Sequence, residues 1–422
     1  IRAAPSCQGG VHPTRIALLS AEYPPFHWGG VGTLAWGLAN GLARRGHAVT
    51  VFTRANDLPP VENHPAIRFV KVPWLKAPMA FALSFGRNAV EAVLKEGKAA
   101  FDAVEVQSNM TLLPRDAYAK LPYPILSHMS GTWEGERSQL RLSNIHPFSV
   151  SGVNDLAVKW LSPLYDKYED FALMLSDGVV VESDSEERAI NARLARRQPA
   201  KASSGRYLSE RPRVERIYGP IEVSAFDPAK RDQGLHDLAA NGASELWLFV
   251  GRLAGRKNPK EAVHILAAYN RAGGNAALLV IGEGNQEGPL IRLSKKLGVG
   301  HRLHIYRSVS FPELQLHYAA SDLFVFPALW EGFGYVMVEA AASGLPVLCR
   351  RVGGAPEAVP PEVGAFYTSV EEAAALVPKL HTLDRARIAA RTKEVFSFER
   401  SVDQYERLLQ ALVAEGKTSS KA

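Results

Sequence analysis

The chain has 422 residues, 46% apolar and 22% charged, with a formal net charge of +6. That balance gives ample apolar material for cores and excludes a chain that is disordered along most of its length. No run approaches the roughly 18 apolar residues needed to cross a bilayer. Two cysteines, Cys7 and Cys349, are too few for a disulfide framework or a cysteine-based zinc site. A reducing, intracellular setting is the plain expectation.

The first 14 residues lack the apolar stretch of a signal peptide and read as a disordered tail. Strand-like runs then alternate with helical patterns. Residues 15–20 read as a first strand and 32–45 as a helix with Leu34, Leu38 and Leu42 on one stripe. Further strands are expected at 48–53, 67–72, 103–106, 125–128 and 178–182. A second series follows at 246–251, 277–282, 301–306, 323–327 and 347–350, with helices at 259–271, 286–297 and 311–320. Such alternation implies parallel sheets covered on both faces: two doubly wound α/β domains, with ligands at the carboxyl ends of strands. The best boundary falls near 216–227, giving domains over 15–217 and 218–397 and a closing helix with its tail over 398–422. Just before that boundary, Arg188 to Arg216 carries nine basic residues against two acids, which fits a solvated helix and loop better than an anion-binding surface. The apolar stretch 72–85 reads as a core-packed loop and helix, ahead of a membrane contact.

Chemistry concentrates in the second half. The strand at 323–327 leads into Glu331-Gly-Phe-Gly334 and then a helix through Glu339. A helix opening on glycines presents free N–H groups and a positive dipole end, a seat for phosphate. Two carboxylates beside such a seat are costly unless they hold hydroxyls, an arrangement that a nucleotide sugar offers. The strand at 246–251 runs into a loop carrying Arg252 and Lys257, which suit a diphosphate leaving group. Near the N-terminus, Gly29, Gly30 and Gly32 enter a helix eight residues after the first strand, too late for a dinucleotide fingerprint, which argues against a dehydrogenase.

Together these segments resemble the retaining, nucleotide-sugar-dependent glycosyltransferases of family 4, with the GT-B fold of two Rossmann-like domains facing a central cleft. The matching pieces are an E-x7-E motif (Glu331 to Glu339), a G-R-x4-K loop (Gly251, Arg252, Lys257), a Gly-Gly loop (Gly29, Gly30), a histidine ending a strand (His128), and the segments 343–347 and 353–357. One departure is His27, which stands where glucan synthases of this fold have a lysine and weakens a glucan-synthase reading; another is Tyr218-Gly-Pro-Ile-Glu222 at the linker.

The resemblance implies a metal-independent, front-face transfer to a hydroxyl acceptor. His128, Glu331, Arg252 and Lys257 would be catalytic. Gly29, Gly30, Arg252, Lys257, Arg307, Glu331, Phe333, Gly334, Tyr335, Val336 and Glu339 would bind the donor. Glu331 would fix sugar hydroxyls, Glu339 the ribose diol, and His128 would lie under the donor sugar. No cofactor or nucleic acid is implied, and the donor base is open among UDP, GDP and ADP. The expected location is cytoplasmic, with room for peripheral contact at the inner membrane face; the oligomeric state stays open. Two alternatives stand beside this reading: a catalytically silent nucleotide-sugar-binding protein of the same fold, and a membrane-associated glycolipid mannosyl- or glucosyltransferase.

Overall fold

Runs such as Ala276–Ile281 (AALLVI) and Leu323–Phe326 (LFVF) are buried along their whole length. Uninterrupted apolar strands of this kind need cover on both faces, as parallel sheets between helix layers provide. The computed structural model describes residues 13–24, 30–55, 62–77, 80–108, 110–139, 150–196 and 212–419. The first sheet comprises β1 (Arg15–Leu19), β2 (Ala48–Arg54), β3 (Arg68–Val72), β4 (Ala103–Gln107), β5 (Ile125–Met129), β6 (Gly178–Val181) and β7 (Arg213–Arg216), in the order β3-β2-β1-β4-β5-β6-β7. The second comprises β8 (Glu245–Val250), β9 (Ala276–Ile281), β10 (Leu303–Tyr306), β11 (Leu323–Phe326), β12 (Val347–Cys349) and β13 (Gly364–Phe366), in the order β10-β9-β8-β11-β12-β13. Every described pairing is parallel. The strand order reverses between β1 and β4 in one sheet and between β8 and β11 in the other, and ligand crevices open at such switch points.

The long helix Phe398–Ser419 follows the second sheet in sequence but packs into the first domain. Its Val402, Tyr405, Leu408, Leu409 and Leu412 share a core with Leu38, Leu42, Val49, Leu126 and Val180. Val72, Phe81, Ala82 and Phe85 are buried, whereas Pro73, Leu75, Lys76 and Ala77 are exposed, so in the stretch 72–85 the start of the helix Ala80–Lys95 packs into the core and the loop before it does not.

Three elements depart from the sequence expectation. Strand β7 lies inside the basic segment: its RVER pattern hides a sheet edge, where charged side chains discourage further pairing. Strand β13 is only three residues long. Strand β10 starts at Leu303 because Gly300–Arg302 form a tight turn instead. The centre of the basic segment and residues 1–12 of the expected tail, Cys7 among them, lie outside the described residues, while Thr14 is buried, its N–H donating to His47 Nδ1 at 3.0 Å, so the tail ends earlier than expected.

Candidate active site

After β8 the chain makes a short turn, Gly255–Lys257, and Asn258, in the left-handed region at φ 50°, feeds Pro259 into the helix Pro259–Arg271. After β11 a second loop carries Glu331 to Gly334 into the helix Tyr335–Ala342. The two loops are joined by a backbone bond of 2.8 Å from Leu329 N–H to the Arg256 carbonyl. Because β8 and β11 are neighbours, both loops sit at the second domain's switch point. Gly334 caps the helix at φ 88°, and a Cβ there would come within 2.9 Å of the Glu331 side chain. Only glycine fits this turn without strain.

Lys257 Nζ forms an ion pair with Glu331 Oε2, their side chains 14% and 18% exposed. The ammonium also lies 5.2 Å from the centre of the Phe326 ring. Burial pulls the Lys257 pKa down, Arg256 and Arg252 add to that, and Glu331 opposes it. Arg252 is exposed and makes no salt bridge among the described residues. The sequence places Glu331 and Lys257 on separate loops; the structure joins the two directly.

Glu339 sits at the other end of the E-x7-E spacing. The Tyr318 hydroxyl donates to its Oε2 at 2.9 Å, and burial pushes the carboxyl up to about 7 despite that bond. The ring of Phe333 packs against Tyr218, Tyr335 and Phe396, so a ligand contact from this residue would have to come from its backbone. The Tyr335 hydroxyl spans the domains, donating to Glu182 Oε1 at 2.8 Å and accepting from Gly219 N–H at 2.5 Å. Val336 is half-buried. Arg307, exposed beyond the end of β10, pairs with Glu287. Gly30 opens the helix Gly30–Arg44, whereas Gly29 and His27 lie outside the described residues.

His128 occupies a buried polar cluster in the first domain. The Tyr405 hydroxyl lies 2.9 Å and Gln107 Nε2 3.2 Å from its Nδ1. Its Nε2 is 3.4 Å from both Ser130 Oγ and Glu182 Oε1. The ring is 1% exposed, so protein encloses it, and Gly131, three residues on, lies against the Trp330 ring. Glu105, whose Oε1 accepts from Gln107, is pushed up to about 8 by burial. Glu186 is raised well above its ordinary value by burial and by Glu182, and its Oε1 has no hydrogen-bond partner. That oxygen lies 3.1 Å from where a Cβ on Gly332 would stand.

Glu105, Glu182, Glu186 and Tyr405 were missed in the sequence. The available signal was a glutamate inside an otherwise apolar strand, AVEVQ. Also missed was a bridge across the cleft, in which Arg256 pairs with Glu136 while the Trp330 ring covers Gly131 and Gly135. Among the described residues no group of three or more His, Cys, Asp or Glu could hold a metal ion, and no helix is long and apolar enough to cross a membrane.

Residues 29–202 match the glycosyl transferase 4-like domain and residues 231–393 the glycosyl transferases group 1 family. A D-inositol 3-phosphate glycosyltransferase of Nocardiopsis dassonvillei is 26% identical, covering 93% of each chain. A glycogen synthase of Mycobacterium tuberculosis is 26% identical over 82% of this chain and 80% of its own. Among solved structures, sucrose-phosphate synthase from Thermosynechococcus elongatus superposes with a TM-score of 0.63 at 20% identity over 97% of this chain and 98% of its own. HepE of Anabaena, in complex with UDP and glucose, gives 0.66 at 16% identity over 94% and 99%. With both halves matched and the two parallel sheets in place, the chain belongs to the group 1 glycosyltransferases of GT-B fold and is a glycosyltransferase.

Proposed function

We propose that the protein transfers a sugar, with retention, from a nucleoside-diphosphate sugar to a hydroxyl acceptor, without a metal ion. The observation that carries this reading is the half-buried pair of Lys257 and Glu331 at the β8/β11 switch point, with Arg252 exposed nearby. An incoming diphosphate would take over Lys257 and recruit Arg252, releasing Glu331 to the sugar hydroxyls. The bond from the anomeric carbon to the diphosphate oxygen breaks as the acceptor oxygen bonds on the same face. The acceptor proton passes to the departing phosphate oxygen. Arg252 and Lys257 stabilise the charge that develops there, the role a metal ion plays elsewhere. Gly334 and the N–H groups after it hold phosphate oxygens at the helix start, and Glu339 holds the ribose. His128, at the end of β5, would lie under the donor sugar. The Anabaena and starch synthase IV structures in complex with UDP-glucose and with ADP support a nucleotide sugar as donor.

A thermal-shift series with UDP, GDP, ADP and dTDP tests the cradle, since a ligand at 100 times its Kd adds about 2.7 kcal/mol to stability. Incubation with the matching nucleotide sugars should then give slow hydrolysis. No shift with any of the four, and no hydrolysis, would sink the reading.

Peripheral attachment for a lipid-linked acceptor, in a cytoplasmic protein, is favoured by one further observation. Val153, Trp160, Leu161 and Leu164 are 47%, 65%, 45% and 64% exposed on and just after the helix Val150–Leu161. The same helix packs Val158 against Trp133. Co-sedimentation with anionic liposomes, lost in Trp160→Ser, checks it.

A further inference from the structure

The two residues that form the cradle's ion pair, Lys257 and Glu331, each follow a residue that reaches the other domain. Arg256 pairs with Glu136, both side chains 15% exposed. Trp330 lies flat on Gly131 and Gly135: Cβ atoms added to those glycines would stand 2.8 Å from Cζ2 and 2.7 Å from Nε1 of the indole. The Arg256 guanidinium sits 5.8 Å from the centre of the same ring. All of these contacts converge on one element, the helix Trp133–Gln139 and the turn leading into it.

That helix has seven residues, too few to hold its shape alone. From its own domain it is fixed by Glu169, which accepts from Trp133 N–H at 2.7 Å, and by Arg137, which binds Asp166 through two bonds of 2.6 Å. Its cleft-facing side is held by Arg256 and Trp330. A diphosphate that takes Lys257 acts on the turn that carries Arg256, and the 2.8 Å bond from Leu329 N–H to the Arg256 carbonyl ties the Trp330 loop to that same turn.

We infer that Trp330 and Arg256 are positioning residues that tie occupancy of the diphosphate cradle to the placement of the helix Trp133–Gln139. The inference rests on the nucleotide-sugar reading above. It assigns the two glycines a reason, since only a residue without a side chain leaves room for the indole.

Hydrogen exchange on the full chain, with and without whichever of UDP, GDP and ADP raises its melting temperature, tests this. In the wild type the amides of 131–139 should exchange slower by about tenfold or more when the diphosphate is bound. Trp330→Ala, and separately Gly135→Ala, which alters a first-domain residue and pushes against the indole from that side, should abolish that slowing while holding diphosphate affinity within about twofold. Exchange in β1 and β8 should match the wild type, which separates the effect from a failure to fold. Unchanged exchange at 131–139 in the wild type despite binding, or full slowing in both variants, would overturn the inference and leave the cradle standing. Failure of all three diphosphates to bind would instead overturn the cradle reading, and this inference with it.

Discussion

The two faces of the cleft handle charge in opposite ways. On the second-domain face, Lys257 answers Glu331 and Arg252 stands in water, so the charges remain available to a ligand. On the first-domain face, Glu105, Glu182 and His128 are at most 2% exposed and are met by Gln107, Tyr335, Tyr405 and one another. Burial makes Glu105 favour its protonated form, pushing its carboxyl up to about 8. One face exchanges its ion pair for a ligand's charges. The other is a fixed strut that gives the first face something rigid to close against.

If the second-domain face is the mobile electrostatic partner, Arg252→Ala and Lys257→Ala should each lower transfer by about two orders of magnitude or more, the scale of losing one charge-stabilising donor. Near-wild-type turnover in either variant removes that residue from the chemistry. The two glutamates sharpen the comparison further. Glu339→Gln should weaken nucleoside-diphosphate binding by roughly 1.5 to 3 kcal/mol in calorimetry, because its contact is made in ground and transition states alike. Glu331→Gln should bind diphosphate nearly as well as wild type and lose turnover instead, since its contact grows as positive charge develops on the sugar. The reverse pattern would mean that the two roles are exchanged.

The first-domain face is tested through pH. Between its ordinary 4.5 and about 8, Glu105 keeps a proton in the folded chain that the unfolded chain has released. Stability from this group is therefore full below that window and falls as pH rises through it, by at most about 1.4 kcal/mol per pH unit. Urea melts of Glu105→Gln across the window should slope less than wild type; an identical slope would show that Glu105 is ionised throughout. The smallest effect expected is that of EDTA, which should leave transfer within about twofold because the cradle's cations take the metal's part. Activity lost to chelation and restored by Mg²⁺ would contradict this.

The second-domain face was legible in the sequence because its pieces are local. Glu331, Gly334 and Glu339 fall within one loop and helix, and Arg252 and Lys257 within another, so spacing alone carries the geometry. Helices such as Phe311–Ala320 were equally plain, with Ser310 and Glu313 forming a capping box at the start. The first-domain face draws Glu105, His128, Glu182 and Tyr405 from four separated elements, and no periodicity connects them. Trp330 and Arg256 were within the segments read most closely, yet their partners, Gly131, Gly135 and Glu136, are over 100 residues away. A side chain's direction across a cleft is set by tertiary packing, which local pattern does not encode.

The placement of Phe398–Ser419 has a consequence for biosynthesis. A ribosome releases the first domain's strands early, but the helix that completes their core, and the Tyr405 hydroxyl that meets His128, emerge only after the whole second domain. The second domain, whose sheet lies wholly between Glu245 and Phe366, can close while the first still lacks one layer. Domains usually mature in the order of synthesis; here the order is inverted. A nascent chain stopped after Ser397 should carry a protease-resistant second domain beside a first domain that is still cleaved. The glycosyltransferase cleft therefore comes into existence only once the helix Phe398–Ser419 has followed the second domain out of the ribosome.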